Sequence, residues 1–176
     1  MVTILIAAFL ASAAFEPIGL WFLAIFGFAL FFRKLADSDR PVIHSFIFGF
    51  TLNAIVLHWS GKYVGALPWL LLAVLQALFY LPIGLIYRRT KSLWLIAAML
   101  LLMEELRARF PFGGFGWTRI AFSQVESPAL PIVSIGGVLA LSAFTVLIAV
   151  LVTRIGLKSF VGITILFITA LLIPNN

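Results

Sequence analysis

Hydrophobic positions in this chain fall into long, nearly unbroken blocks, and the polar positions gather in short connectors between them. Runs near the roughly 20 apolar residues needed to cross a bilayer as a helix recur seven times, at about 1–15, 18–32, 42–59, 67–87, 93–109, 130–152 and 159–173. The pattern predicts an all-α integral membrane fold: one bundle of about seven transmembrane helices, with no soluble domain. Pro17 suits the first turn of the second helix, where its missing N–H would be unpaired in any case. Pro82 predicts a kink in the fourth. In the sixth, Ser134, Gly137 and Ala140 recur every third position, a spacing that lets another helix approach closely. The stretch RKLADSDRP at 33–41 is the clearest solvent loop. The first block ends in small residues from Ala11 to Ala14, as a signal peptide would. It has no basic leader, however, and the apolar run resumes directly after Glu16 and Pro17, so a retained, short first span is the expectation.

Composition agrees with the pattern. Apolar residues make up 64% of the 176, charged residues 10%, and mean hydropathy is +1.20, against about 45–50% apolar and 25% charged for a soluble domain. The net charge of +6 does not indicate nucleic acid, because the basic residues sit in small clusters beside apolar runs, where positive charge sets orientation. Arg33, Lys34, Arg40, Arg88, Arg89, Lys91, Arg154 and Lys158 follow spans two, four and six, whereas only Lys62, Arg107, Arg109 and Arg119 lie on the other side. This asymmetry puts the N-terminus and the even connectors in the cytoplasm, and the long fifth-to-sixth loop and the C-terminus outside. With no cysteine in the chain, disulfides, thiolate metal ligands and a cysteine nucleophile are all excluded within it.

Candidate chemistry concentrates at 103–128, MEELRARFPFGGFGWTRIAFSQVESP. The connection between spans five and six takes up about twenty residues of it, well beyond the typical four to six. It gathers three of the six acidic and three of the twelve basic residues, together with Phe110, Phe112, Phe115, Trp117 and Phe122. Counted from Lys91, Glu104 is about 20 Å into a hydrocarbon layer of roughly 30 Å, where a carboxylate needs a partner or water. Arg107 is three residues after Glu104, and Arg109 is four after Glu105; both spacings bring side chains together on a helix. Two readings stay open: ion pairs near a helix end, or the polar floor of a water-filled cavity. Gly113, Gly114 and Gly116 favour irregular backbone, which at membrane depth is tolerated inside protein or along a cavity. This weighs toward cavity lining over simple aromatic anchoring. The glycines have neither the preceding strand nor the following Gly-Lys-Ser/Thr of a phosphate loop. His44 and His58 would be about 21 Å apart on one helix and cannot share a metal. Neither a metal site nor a catalytic triad is expected.

Glu104-x-x-Arg107, Phe112-Gly113-Gly114-Phe115-Gly116-Trp117, Ala121-Phe122-Ser123-Gln124, Ser127-Pro128 and Gly136-Gly137 resemble, in order and spacing, the membrane part of the bacterial apolipoprotein N-acyltransferases, especially their actinobacterial form. Upstream, Phe15-Glu16-Pro17 with Leu20-Trp21 is similar to the family's break between its first two spans, and Gly49-Phe50 to Trp59 to its third. Gly116 departs from the pattern, standing where the family commonly has proline. The resemblance implies a phospholipid acyl donor, a lipoprotein acceptor, no cofactor, and a bacterial cytoplasmic membrane location. It also implies a nitrilase-like domain with a Glu, Lys and Cys triad after the seventh span, whereas this sequence ends where that domain would begin.

No catalytic residue is therefore assigned, and the expectation is the lipid-access portion of such an enzyme, inactive alone or completed by a separate nitrilase-like chain. By resemblance, Phe115 and Trp117 would line the entry for acyl chains, and Arg119 and Arg107 would hold lipid phosphate. Glu104 would pair with Arg107, and Gln124 would fix the loop by hydrogen bonds. Two alternatives remain: a small transporter or channel in which Glu104 or Glu105 relays a proton or cation, and a non-catalytic membrane scaffold.

Overall fold

The computed structural model describes residues 1–154, 163, 165–170 and 172. Among them the chain is all-helical, with α1 (Val2–Ser12), α2 (Phe22–Ala36), α3 (Pro41–Val56), α4 (His58–Val64), α5 (Ala66–Leu78), α6 (Leu81–Thr90), α7 (Leu93–Arg107) and α8 (Val133–Thr153). Two short 3₁₀ segments, Ile120–Gln124 and Leu130–Ile132, lie between α7 and α8. Of the expected span at 159–173, residues 159–162, 164, 171 and 173 lie outside the described ones; 163 and 165–170 are helical. By length and composition, Ala66–Thr90 and Leu130–Thr153 suffice to cross a membrane; α3 and α4 together reach the same length and hydropathy but are bent by 60°, the geometry of a broken span or of a re-entrant loop.

Several boundaries depart from the expected ones for identifiable reasons. The second helix begins at Phe22, not at 18, because Gly19 has φ +68, a left-handed conformation that no right-handed helix contains. Pro17 consequently belongs to the turn before α2 and not to its first turn. At its other end α2 runs on through Arg33 and Lys34, whose charges favour the negative end of the helix dipole. The solvent loop shrinks from 33–41 to 37–40, and Pro41 opens α3. The fourth block is interrupted at Phe79 and Tyr80, just ahead of Pro82 in the first turn of α6. The small residues of the sixth block do not make a packing face among the described residues. Ser134 and Gly137 are exposed, and Gly136 and Gly137 break the helix, the latter with φ +66.

The core is built where α1 packs on α2 and α3, α2 on α8, α3 on α5 and α6, and α7 on α6 and α8. Phe28, Phe31, Phe32 and Phe48 fill its middle, all fully buried, with the Phe31 and Phe48 rings stacked at 4.1 Å. Gly27 sets the α1–α2 approach, since a Cβ there would stand 2.6 Å from the Ala11 nitrogen. One end of the bundle carries the basic last turns of α2 and α6. The Tyr87 hydroxyl at the end of α6 donates to the Ala36 carbonyl at the end of α2. Arg154 at the end of α8 lies over the Trp94 ring at the start of α7. The 103–128 loop lies at the opposite end.

Candidate functional site

α7 delivers Glu104 and Arg107 to the interior, each only 2% exposed. Burial at this depth requires partners, and the loop supplies them. The Arg107 guanidinium donates to the Thr118 hydroxyl and to the Thr118 carbonyl, and to Gln76 Oε1 on α5 at 3.1 Å. The Thr118 hydroxyl in turn donates to Asn53 Oδ1 on α3 at 2.8 Å, while Asn53 Nδ2 donates to the Gly49 carbonyl. Glu104 accepts the Ile120 N–H at 2.8 Å and the Ser142 hydroxyl of α8; Ser142 accepts the Ala121 N–H at 3.0 Å. Glu104 and Arg107 themselves are 3.9 Å apart. Their mutual pair is thus the longest link in the network, and each reaches separately into the loop. Four helices and two loop segments are joined by one polar cluster.

The loop's own backbone makes this reach possible. Gly114 has φ +87, and a Cβ on it would collide with the Ala108 carbonyl; only glycine lets the chain turn this tightly against the end of α7. The Phe115 N–H then donates to the Arg107 carbonyl at 2.7 Å. Farther on, Gln124 Nε2 donates to the Trp21 carbonyl at 3.0 Å, tying the loop to the turn before α2.

A second charged cluster sits nearer the surface. Glu105 accepts from Arg109 at 3.0 Å and from Arg119. The three, with Ala108, Gly116, Trp117 and Phe122, line an open cavity of about 570 Å³. Arg119 Nε is buried there without a hydrogen-bond partner. Trp117 is 63% exposed, its ring 5.6 Å from that of Trp59 on α4 and 6.5 Å from that of Phe115.

The site residues expected from sequence therefore separate into two groups. Trp117 and Arg119 line the cavity together with Glu105, while Phe115 is half-buried beside Trp117 and is not part of the lining. Glu104, Arg107 and Gln124 lie inside. Sequence reasoning missed Thr118 and Ser142 and did not connect Asn53 or Gln76 to the loop. The available signal was a polar residue within an apolar helix, since each must find a partner when buried. His44 and His58 lie on different helices, His44 sharing a hydrogen bond with Ser38 and His58 packing edge-on to Trp69. No group of three or more metal-ligating side chains occurs among the described residues.

The long apolar helices fit a membrane protein, and the motif-bearing segment lies within a longer match to a known family. The family model described as the apolipoprotein N-acyltransferase N-terminal domain matches residues 7–151, and the chain belongs to that family.

Proposed function

We propose that this chain is the membrane, lipid-access portion of an apolipoprotein N-acyltransferase, handling the phospholipid whose acyl group passes to the N-terminal amine of a lipoprotein. The chain has no cysteine, so the nucleophile is supplied from outside these 176 residues, by a nitrilase-like domain or a separate chain. The carrying observation is the cavity itself. Two guanidinium groups, Arg109 and Arg119, meet at its wall on the single carboxylate of Glu105, beside the exposed Trp117 and Phe122; one surplus positive charge next to aromatic surface suits an anionic phosphate with an apolar tail.

The arginines offered to phosphate are thus Arg119 and Arg109. Arg107 is committed to Thr118 and Gln76, and its role in this reading is to hold the loop. A proton or cation relay through Glu104 or Glu105 is the less favoured reading, since both oxygens of each are already engaged, those of Glu104 by Ile120 and Ser142 and those of Glu105 by Arg109 and Arg119. In the proposed topology seven spans cross the bacterial cytoplasmic membrane, with the basic end cytoplasmic and the cavity outside.

Two measurements test this. Binding of a short-chain phospholipid to purified protein should weaken about tenfold, near 1.4 kcal/mol, in Trp117→Ala and in Arg119→Ala; wild-type binding in both variants sinks the site. Co-expression with a nitrilase-like chain in an acyltransferase-depleted host should yield N-acylated lipoprotein by mass spectrometry only when both chains are present.

A further inference from the structure

A second opening lies on a different flank of α7. α5 packs on α3 and α4, whereas α6, beyond the break before Pro82, packs on α3 and along α7. α5 and α7 are bridged on the inside by the buried bond from Arg107 to Gln76 at 3.1 Å. On the outside they enclose a groove of about 310 Å³ lined by Leu75, Leu78, Phe79, Met103, Leu106 and Phe110. At about 100° per residue around a helix, Met103 and Leu106 point roughly 100–160° away from Glu105, so the groove and the Arg109–Arg119 cavity use different faces.

The lining decides what fits. The groove offers no side-chain donor or acceptor. A peptide laid there would bring backbone N–H and C=O groups with nothing to bond them, and a lipid headgroup would lose its water uncompensated. A hydrocarbon chain bears neither cost. The groove also continues the exposed apolar face of α5, where Leu67, Leu71 and Leu78 are bare, a surface that faces lipid in a membrane protein. We propose that this groove seats one acyl chain of a membrane phospholipid, retained by the protein rather than exchanging freely with the bilayer. The seat is independent of the cavity reading.

The test uses the full chain in dioleoylphosphatidylcholine vesicles containing a phospholipid with a diazirine in mid-chain. After photolysis, adducts should concentrate on Leu75, Leu78, Met103 and Leu106, and excess unlabelled lipid should compete them away. Met103→Trp, which fills the groove, should cut that yield at least about tenfold, the equivalent of about two buried methylenes. Leu71→Trp on the open face of α5 should leave it unchanged. Equal labelling of Leu67, Leu71 and the groove residues overturns the proposal, as does an undiminished yield in Met103→Trp. Should Met103→Trp fail to fold, Leu78→Trp replaces it, and the wild-type adduct map decides on its own. Trp117→Ala should label the groove like wild type, so failure here and failure of the cavity reading are told apart.

Discussion

Replacing Arg107 by leucine is the most discriminating perturbation of the buried network. The side chain is 2% exposed and donates to three acceptors on two elements. Its loss strands the Thr118 carbonyl and Gln76 Oε1 and leaves Glu104 without its buried counter-charge. Removing one partner of a buried charged pair costs about 3–5 kcal/mol, a large part of a total stability of about 5–15 kcal/mol. Geometry also says how that cost divides. Arg107 bonds Thr118 directly, whereas Glu104 stands 3.9 Å away and keeps its own bonds to Ile120 and Ser142. A double-mutant cycle of Arg107→Leu with Thr118→Val should therefore give a coupling of about 1–3 kcal/mol, larger than the cycle with Glu104→Gln. Equilibrium unfolding in mixed detergent, followed by tryptophan fluorescence, measures all five variants. A cost below about 1 kcal/mol for Arg107→Leu, or a larger coupling to Glu104 than to Thr118, would refute the reasoning.

Three further outcomes are expected. Gly27→Leu places side-chain atoms against the Ala11 nitrogen and the Ala7 carbonyl, where even a Cβ would stand 2.6 and 2.8 Å away; the unfolding midpoint should fall by the equivalent of about 1–3 kcal/mol. At Gly137 a Cβ would meet nothing within 4 Å, but φ +66 with ψ −166 is a backbone conformation essentially confined to glycine, so Gly137→Ala should cost only the conformational term of about 1–3 kcal/mol, and a larger loss in the same assay would mean a packing role. Because the chain has no cysteine, Asp37→Cys and Phe112→Cys are clean probes of sidedness. An impermeant maleimide should label them from opposite faces of sealed vesicles, and labelling from one face would overturn the topology.

The helical class was legible from the apolar blocks, and so were the two local charge pairs. Glu104 with Arg107 and Glu105 with Arg109 were set by spacings of three and four on one helix, and the structure has both. What sequence could not give is the convergence of Arg119 on Glu105, or of Thr118 on Arg107 and Asn53, since these contacts depend on how an irregular loop folds back. Boundaries shifted wherever a backbone constraint overrode hydropathy, as at Gly19, or where charged residues extended a helix, as at Arg33 and Lys34. Periodicity misled at Ser134, Gly137 and Ala140, because small residues serve equally to admit a neighbouring helix and to break their own.

The buried polar cluster also dictates an order of assembly during synthesis. Its links span 31 residues from Gln76 to Arg107, 38 from Glu104 to Ser142 and 65 from Asn53 to Thr118, and the Gln124 tether to Trp21 spans 103. When α7 leaves the ribosome, Ser142 does not yet exist, and neither of the donors that Glu104 has in the finished fold, the Ile120 N–H and the Ser142 hydroxyl, has been made. Glu104 and Arg107, one turn apart on the same helix, are within reach of one another from the moment that α7 forms. The 3.9 Å contact and the bond from Arg107 to Gln76 are then the links of Glu104 and Arg107 that need nothing beyond α7; their other links close only once the loop and α8 are in place.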